Sequence, residues 1–185
     1  MTNSVTISLE QHREAFAQRR FLAMPLAGTV MWALIGIAGA IAPTFYKVMA
    51  VWIGAGCIFY LGMLLSRFTG EDFFGKNRPA NPFDRLFMST VAMALLVFAI
   101  AMPFASVDYT SVPMSVGILT GLMWLPFGWI INHWVGAFHA ITRTVLIVGA
   151  WFAFPDHRFV TIPAIIVVVY VVTIVALERR SAVSG

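Results

Sequence analysis

Residues 117–143 read GILTGLMWLPFGWIINHWVGAFHAITR, from Gly117 to Arg143. The stretch opens on an uncharged apolar run that passes through Pro126. It gathers Trp124, Trp129, Trp134, Asn132, His133 and His139 before reaching Arg143. Extended to Val112 and Ile131, the apolar part is about 20 residues, the length an α-helix needs to cross hydrocarbon. A polar turn follows, and a second apolar run begins at Gly136. This pattern is a hairpin of two membrane helices, not two faces of a soluble domain.

Working outward, the same texture covers the chain. Its 185 residues are 60% hydrophobic and 11% charged, where ordinary soluble domains carry roughly a quarter charged residues. The apolar residues fall in blocks at about 21–42, 48–66, 86–104, 112–131, 136–154 and 159–177. The predicted fold is all-α: a polytopic integral membrane protein, a bundle of six transmembrane helices within 21–178. A short N-terminal segment, 1–20, and a tail, 179–185, flank it. Ser8 and Gln11 have capping-box spacing, and Leu9 and Phe16 share a helical face. The first segment therefore reads either as an amphipathic helix on the membrane surface or as a solvated tail. Arg19-Arg20 ahead of an apolar run ending in Ala38-Gly39-Ala40 has the outline of a signal peptide. The run is longer than a signal core, so it is read as a retained helix.

The formal net charge of +4 does not point to nucleic acid, because the basic residues lie between apolar blocks. Arg13, Arg19, Arg20, Arg67, Lys76, Arg78, Arg85, Arg143, Arg179 and Arg180 fall on one face of a six-span topology. Only Lys47 and Arg158 fall on the other. The positive-inside rule then places both termini in the cytoplasm. Phe73 and Phe74 are expected to anchor the long basic loop at the interface. Pro43, Pro103 and Pro155 are expected to end outward-going helices, and Pro113 and Pro163 to begin returning ones. The single cysteine, Cys57, has no internal disulfide partner.

No phosphate-binding loop, nucleophile elbow, HExxH or CxxC motif is present, so neither a metal nor a cofactor is expected. His133 and His139 are six apart and would not share a helical face. His139 and Arg143 are four apart and do. Arg143 must snorkel to the interface or find a partner inside the bundle. Asp84, Glu71, Asp72 and Glu178 are the candidate counter-ions. Trp32, Trp124, Tyr60 and Tyr170 fall mid-span, with Thr29 and Thr120 at similar depth to satisfy their polar tips. The candidate ligand-binding set is Trp32, Trp124, Asn132, His133, His139 and Arg143. Gly117, Gly121 and Pro126 are assigned to helix packing and kinking.

FLAMPLAGTVMWALIGIAG (21–39) and MWLPFGWI (123–130) resemble a family of uncharacterised small bacterial multispanning inner-membrane proteins. The resemblance implies a small-residue-rich first helix and a later Pro/aromatic run, and it brings no activity.

The leading functional expectation is binding or transport of a small polar or anionic solute through an intramembrane pocket. A membrane enzyme acting on a lipid-like substrate, with His139 as general base, is the first alternative. A structural or regulatory protein acting through homo-oligomerisation is the second. Membrane lipids are expected partners in every case.

Overall fold

The computed structural model describes residues 7–71 and 79–183. Phe73 and Phe74, and with them Asp72, Lys76 and Arg78, lie outside the described residues. Among the described residues the chain is all-helical, and six helical stretches are long and apolar enough to cross a membrane. In chain order the helices are α1 (Leu9–Ala17), α2 (Ala23–Ile41), α3 (Thr44–Thr69), α4 (Pro82–Leu96), α5 (Phe98–Val107), α6 (Val112–Gly121), α7 (Trp124–Ile130), α8 (Val135–Ala153) and α9 (Arg158–Val183). The third stretch is α4 with α5, and the fourth runs from Tyr109 through α6 to the end of α7.

Pro126 explains why the fourth stretch is two helices. A proline has no N–H for the carbonyl four residues back and its ring crowds that carbonyl. Here that carbonyl belongs to Leu122, and α6 ends at Gly121. Leu122 N–H turns to Leu119 O at 3.3 Å and Leu125 N–H to Leu122 O at 3.1 Å, a tighter winding, before α7 starts at Trp124. Two other prolines depart from expectation. Pro103 lies inside α5, which continues to Val107. Pro163 lies inside α9, which already begins at Arg158.

Burial on α2 runs opposite to a soluble helix. Ala27, Gly28, Trp32, Ile35 and Gly39 face inward, while Val30, Leu34, Ile37 and Ile41 face outward. Small residues inside let backbones approach, and aliphatic side chains outside suit hydrocarbon. A Cβ on Gly28 would overlap the Tyr170 ring, and one on Gly39 would overlap the Phe159 carbonyl. The glycine side of α2 is therefore packed on α9. On α3, a Cβ on Gly54 would run into the Ile35 side chain at 2.8 Å. Gly117 sits as closely against Ile147 of α8 and Ile166 of α9.

One end of the bundle collects the polar tethers. Ser8 and Gln11 form a reciprocal capping box on α1, so the N-terminal segment is a helix. Its Phe16 is buried among Phe21, Phe83 and Phe87. Asn81 caps α4 through Phe83 N–H and donates to the His12 carbonyl of α1 at 2.7 Å. Arg19 pairs with Asp84. Gly70 ends α3 in the left-handed region at φ 74°, where glycine has no Cβ to strain. That turn carries the Glu71 carboxylate onto the open start of α2, where it accepts from Leu22 and Ala23 N–H at 2.8 Å each. Arg180, near the end of α9, donates to the Arg19 carbonyl at 3.0 Å. The segment that follows α1 and the end of the last helix thus meet at this basic end. At the other end Arg158 ties Thr110 and the Trp151 carbonyl together and lies over the Trp151 ring.

Candidate functional site

The site grows from the α7–α8 hairpin. Gly128 and Gly136 face each other with backbone against backbone. A Cβ on Gly128 would sit 2.7 Å from Gly136 Cα, and one on Gly136 would overlap the Trp124 carbonyl. The two helices can close this far only because both positions lack a side chain. Asn132 makes the turn between them at φ 49°. His133 accepts the Val135 N–H on Nδ1 at 3.3 Å. His139, one turn into α8, is then brought onto Trp124, the two rings stacked at 4.2 Å with 19° between planes.

Arg143 follows on the same face. It is fully buried. It lies about 12 Å from the start of α8 and about 15 Å from its end at 1.5 Å per residue, so in the middle. Snorkelling is overturned: the side chain points into the bundle. For the same reason Arg143 belongs to neither end when the basic residues are counted. Its space comes from Gly121, where a Cβ would stand 3.0 Å from the Arg143 side chain.

The hydrogen bonds fix which atoms carry protons. Thr173 donates to the Val169 carbonyl at 2.8 Å, so its oxygen accepts from His139 Nδ1–H at 2.8 Å. The lone pair of His139 is then on Nε2, where it accepts from Arg143 Nη1 at 3.3 Å. Thr120 donates to the Val116 carbonyl at 2.6 Å and accepts from Arg143 Nη2 at 3.2 Å. Each acceptor is held by a helix of its own. The guanidinium carbon lies over the Trp32 ring at 5.4 Å and the Tyr170 ring at 5.6 Å.

What is missing from this arrangement is a negative charge. Among the described residues the ion pairs are Arg13–Glu10 and Arg19–Asp84. Of the candidate counter-ions, Asp84 is with Arg19, Glu71 is on α2, Glu178 is exposed and Asp72 is outside the described residues. Arg143 Nε–H and the neighbouring Trp32 Nε1–H are buried donors with no acceptor among the described residues. An arginine stays protonated in proteins. Burying one uncompensated charge costs several kcal/mol, whereas a desolvated cation–π contact returns about 2 kcal/mol.

The structure brings together Trp32, Trp124, His139 and Arg143, and adds Thr120, Tyr170 and Thr173. It does not bring Asn132 and His133 to them. Those two line an open hollow of about 340 Å³ at the basic end, with Glu10, Arg13, Glu14 and Arg180. Thr29 donates to the Pro25 carbonyl and does not serve Trp32, whose Nε1–H has no acceptor among the described residues. Tyr60 faces outward, 68% exposed. Thr173 was the residue missed. Its signal was present: within IVVVYVVTIVAL the polar groups Tyr170 and Thr173 are three apart, so on one face.

Aromatic rings join the basic end to this centre. Phe16 meets Phe21 at 5.1 Å, Phe21 meets Phe127 at 5.2 Å, Phe127 meets Trp124 at 5.3 Å, and Trp124 stacks on His139. A hollow of about 30 Å³ lies beside them, bordered by Met24, Glu71, Phe87 and Trp124. Trp124 is shared between that hollow and the His139–Arg143 pair.

Residues 9–180 match the model of a family of unknown function, DUF7010. No curated protein and no solved structure matches the chain.

Proposed function

We propose that this chain, which belongs to the DUF7010 family of unknown function, is an inner-membrane protein that binds a small anion at Arg143 and carries it across the bilayer. The observation that carries the reading is the guanidinium itself. It is buried in the middle of a helix long enough to cross a membrane, and none of the described carboxylates pairs with it. Ionisable groups so placed are functional by default. An anion accepting from Arg143 Nε–H would supply the missing charge. The Trp32 indole N–H is a second donor within the same cluster. The neutral hydroxyls and imidazole orient the cation without neutralising it, which leaves its field for the ligand.

Six spans put both termini on the basic side. Arg13, Arg19, Arg20, Arg67, Lys76, Arg78, Arg85, Arg179 and Arg180 support a cytoplasmic placement of that side, against Lys47 and Arg158 opposite. Passage then requires the Phe21–Phe127–Trp124 rings to part, since they fill the way from the basic end. Catalysis by His139 has less support, because both of its ring nitrogens are engaged, by Thr173 and Arg143.

The test is swelling of vesicles reconstituted with the purified chain, in isotonic potassium chloride, nitrate and phosphate, with valinomycin present so that potassium follows the anion and charge balances. At least one anion should enter faster than into empty vesicles, and Arg143→Met should return it to the empty-vesicle rate. Equal rates for the wild type and a folded Arg143→Met variant would remove the assignment.

A further inference from the structure

A second site lies on the outer surface of the bundle, away from Arg143. α9 and the α7–α8 turn enclose an open groove of about 630 Å³. Along α9 its wall is Val171, Val172 and Val175, each two-fifths to one-half exposed. These positions and Arg179 follow one face, and from Val171 to Arg179 they extend about 12 Å. The groove is apolar over that length and ends in cations at the basic end.

That end is built from four side chains with different roles. Arg179 is exposed and makes no ion pair or hydrogen bond with a described residue. Arg180 is tethered by its bond to the Arg19 carbonyl, so its charge is held in position. His133 has Nδ1 committed to the Val135 N–H. Burial, with Arg180 adding to it, pushes the imidazole below its usual range. The ring is therefore neutral at pH 7 and presents Nε2–H as a donor. Trp134 is 59% exposed, with Phe138 edge-on behind it. Its indole has the apolar body and polar tip that suit a membrane interface. Among the described residues no carboxylate lines the groove.

We propose that this groove binds one anionic phospholipid, its acyl chain along Val171, Val172 and Val175 and its phosphate at Arg179, Arg180 and His133. The charge pattern selects the occupant. A zwitterionic lipid would bring its own ammonium to two arginines, and a free phosphate would leave the apolar wall unused. A basic residue at a membrane surface favours an anionic lipid by about fivefold. The proposal rests on the membrane reading above but not on anion carriage by Arg143.

Native mass spectrometry of the full chain tests it, in detergent with equal amounts of phosphatidylglycerol and phosphatidylcholine. One phosphatidylglycerol should be retained preferentially. Arg179→Ala should cut the preference about fivefold, and Val172→Trp, which fills the groove, should lower retention of both lipids. Glycerol 3-phosphate alone should not be retained. Equal retention of the two lipids would overturn the proposal. So would an unchanged preference in Arg179→Ala, displacement of the lipid by glycerol 3-phosphate, or a dimer mass that forms in place of the lipid adduct. Failure of the membrane reading would show separately, as chain washed from the membrane pellet by alkaline carbonate.

Discussion

The His139 imidazole lies flat on the Trp124 indole, ring centroids 4.2 Å apart and planes 19° apart. Two features of the chain set this pair. Pro126 ends α6 early and makes Trp124 the first residue of a new helix. Gly128 and Gly136 then let α7 and α8 close backbone to backbone. Stacking holds the imidazole plane, Thr173 holds its tautomer, and Nε2 is left aimed at Arg143. The position of the buried cation thus depends on a proline and two glycines that never touch it.

Arg143→Met should separate charge from packing. Methionine fills much of the same space with an unbranched, adaptable chain. Replacing buried ionic groups by apolar ones of similar volume is often neutral or stabilising by about 1–4 kcal/mol. The expected result is a thermal midpoint in detergent at or above the wild type, with anion entry into vesicles lost. A strongly destabilised variant would mean that the cation holds the bundle together through a partner.

Thr173→Val should cost stability without touching the charge. His139 Nδ1–H would lose its acceptor in a buried setting, and an unsatisfied buried donor costs about 1–3 kcal/mol. The tautomer would no longer be fixed, so the bond from Arg143 to Nε2 should weaken as well. Thermal unfolding would show the first effect, and a lower apparent affinity for the anion proposed to bind at Arg143 the second. Unchanged values for both would place the His139 orientation on the Trp124 stack alone.

The six long apolar helices were legible because each is a long, nearly uncharged run of the length that crossing a membrane would demand. The inward position of Arg143 was not. A helical position fixes a face only relative to its neighbours, and which helix covers that face is a tertiary fact. The close approach of Gly128 and Gly136 was hidden for the same reason, being spread across a turn. Glu71 is a candidate counter-ion for Arg143 in the sequence because both fall on the cytoplasmic side of the expected topology. Its place on the α2 amides follows instead from the left-handed turn at Gly70, which sends the chain back toward Leu22. Trp32 and Trp124 stand out by their mid-span depth and His139 and Arg143 by their shared helical face, and these four converge. Asn132 and His133 lie close to them in sequence but sit at the end of the bundle.

Substitutions at two glycines of α8 should have opposite signs. Gly136→Ala places a Cβ onto the Trp124 carbonyl and Gly128. Backbone cannot step aside as a flexible side chain can, and overpacking of this kind costs about 1–3 kcal/mol or more. Gly149→Ala meets nothing within 4 Å, and alanine gains about 1 kcal/mol of helix propensity over glycine. A lower thermal midpoint for the first and an equal or higher one for the second is expected. Similar effects of the two would contradict the backbone contact between α7 and α8.

His133 should give a pH dependence of known sign. Burial and Arg180 hold its pKa below 6.5 in the folded chain. Below about pH 6.5 the unfolded chain therefore binds more protons than the folded one at this residue, so stability falls as the pH drops through that range. It levels off once the pH is below the folded value. His133→Gln cannot titrate, so its thermal midpoint in detergent should fall less between pH 7 and pH 5 than that of the wild type. An identical slope would show that His133 does not titrate differently in the two states.

Glu71→Ala should loosen the start of α2 while leaving Arg143 alone. The carboxylate is the one cap that α2 has, since Leu22 offers no side-chain acceptor. Removing a helix cap costs about 0.5–2 kcal/mol. Here the lost group is also an anion at the positive end of a helix dipole, which adds to the effect. Glu71→Gln keeps an oxygen for the same two amides and gives up only the charge, so it should recover part of the loss. The effect should appear as faster hydrogen exchange at Leu22 and Ala23 and a lower thermal midpoint. Entry of the anion into vesicles should change little, because Glu71 reaches α2 and not the guanidinium. If anion entry instead fell as far as in Arg143→Met, Glu71 would have to act on the path past Trp124, whose neighbouring hollow it also borders.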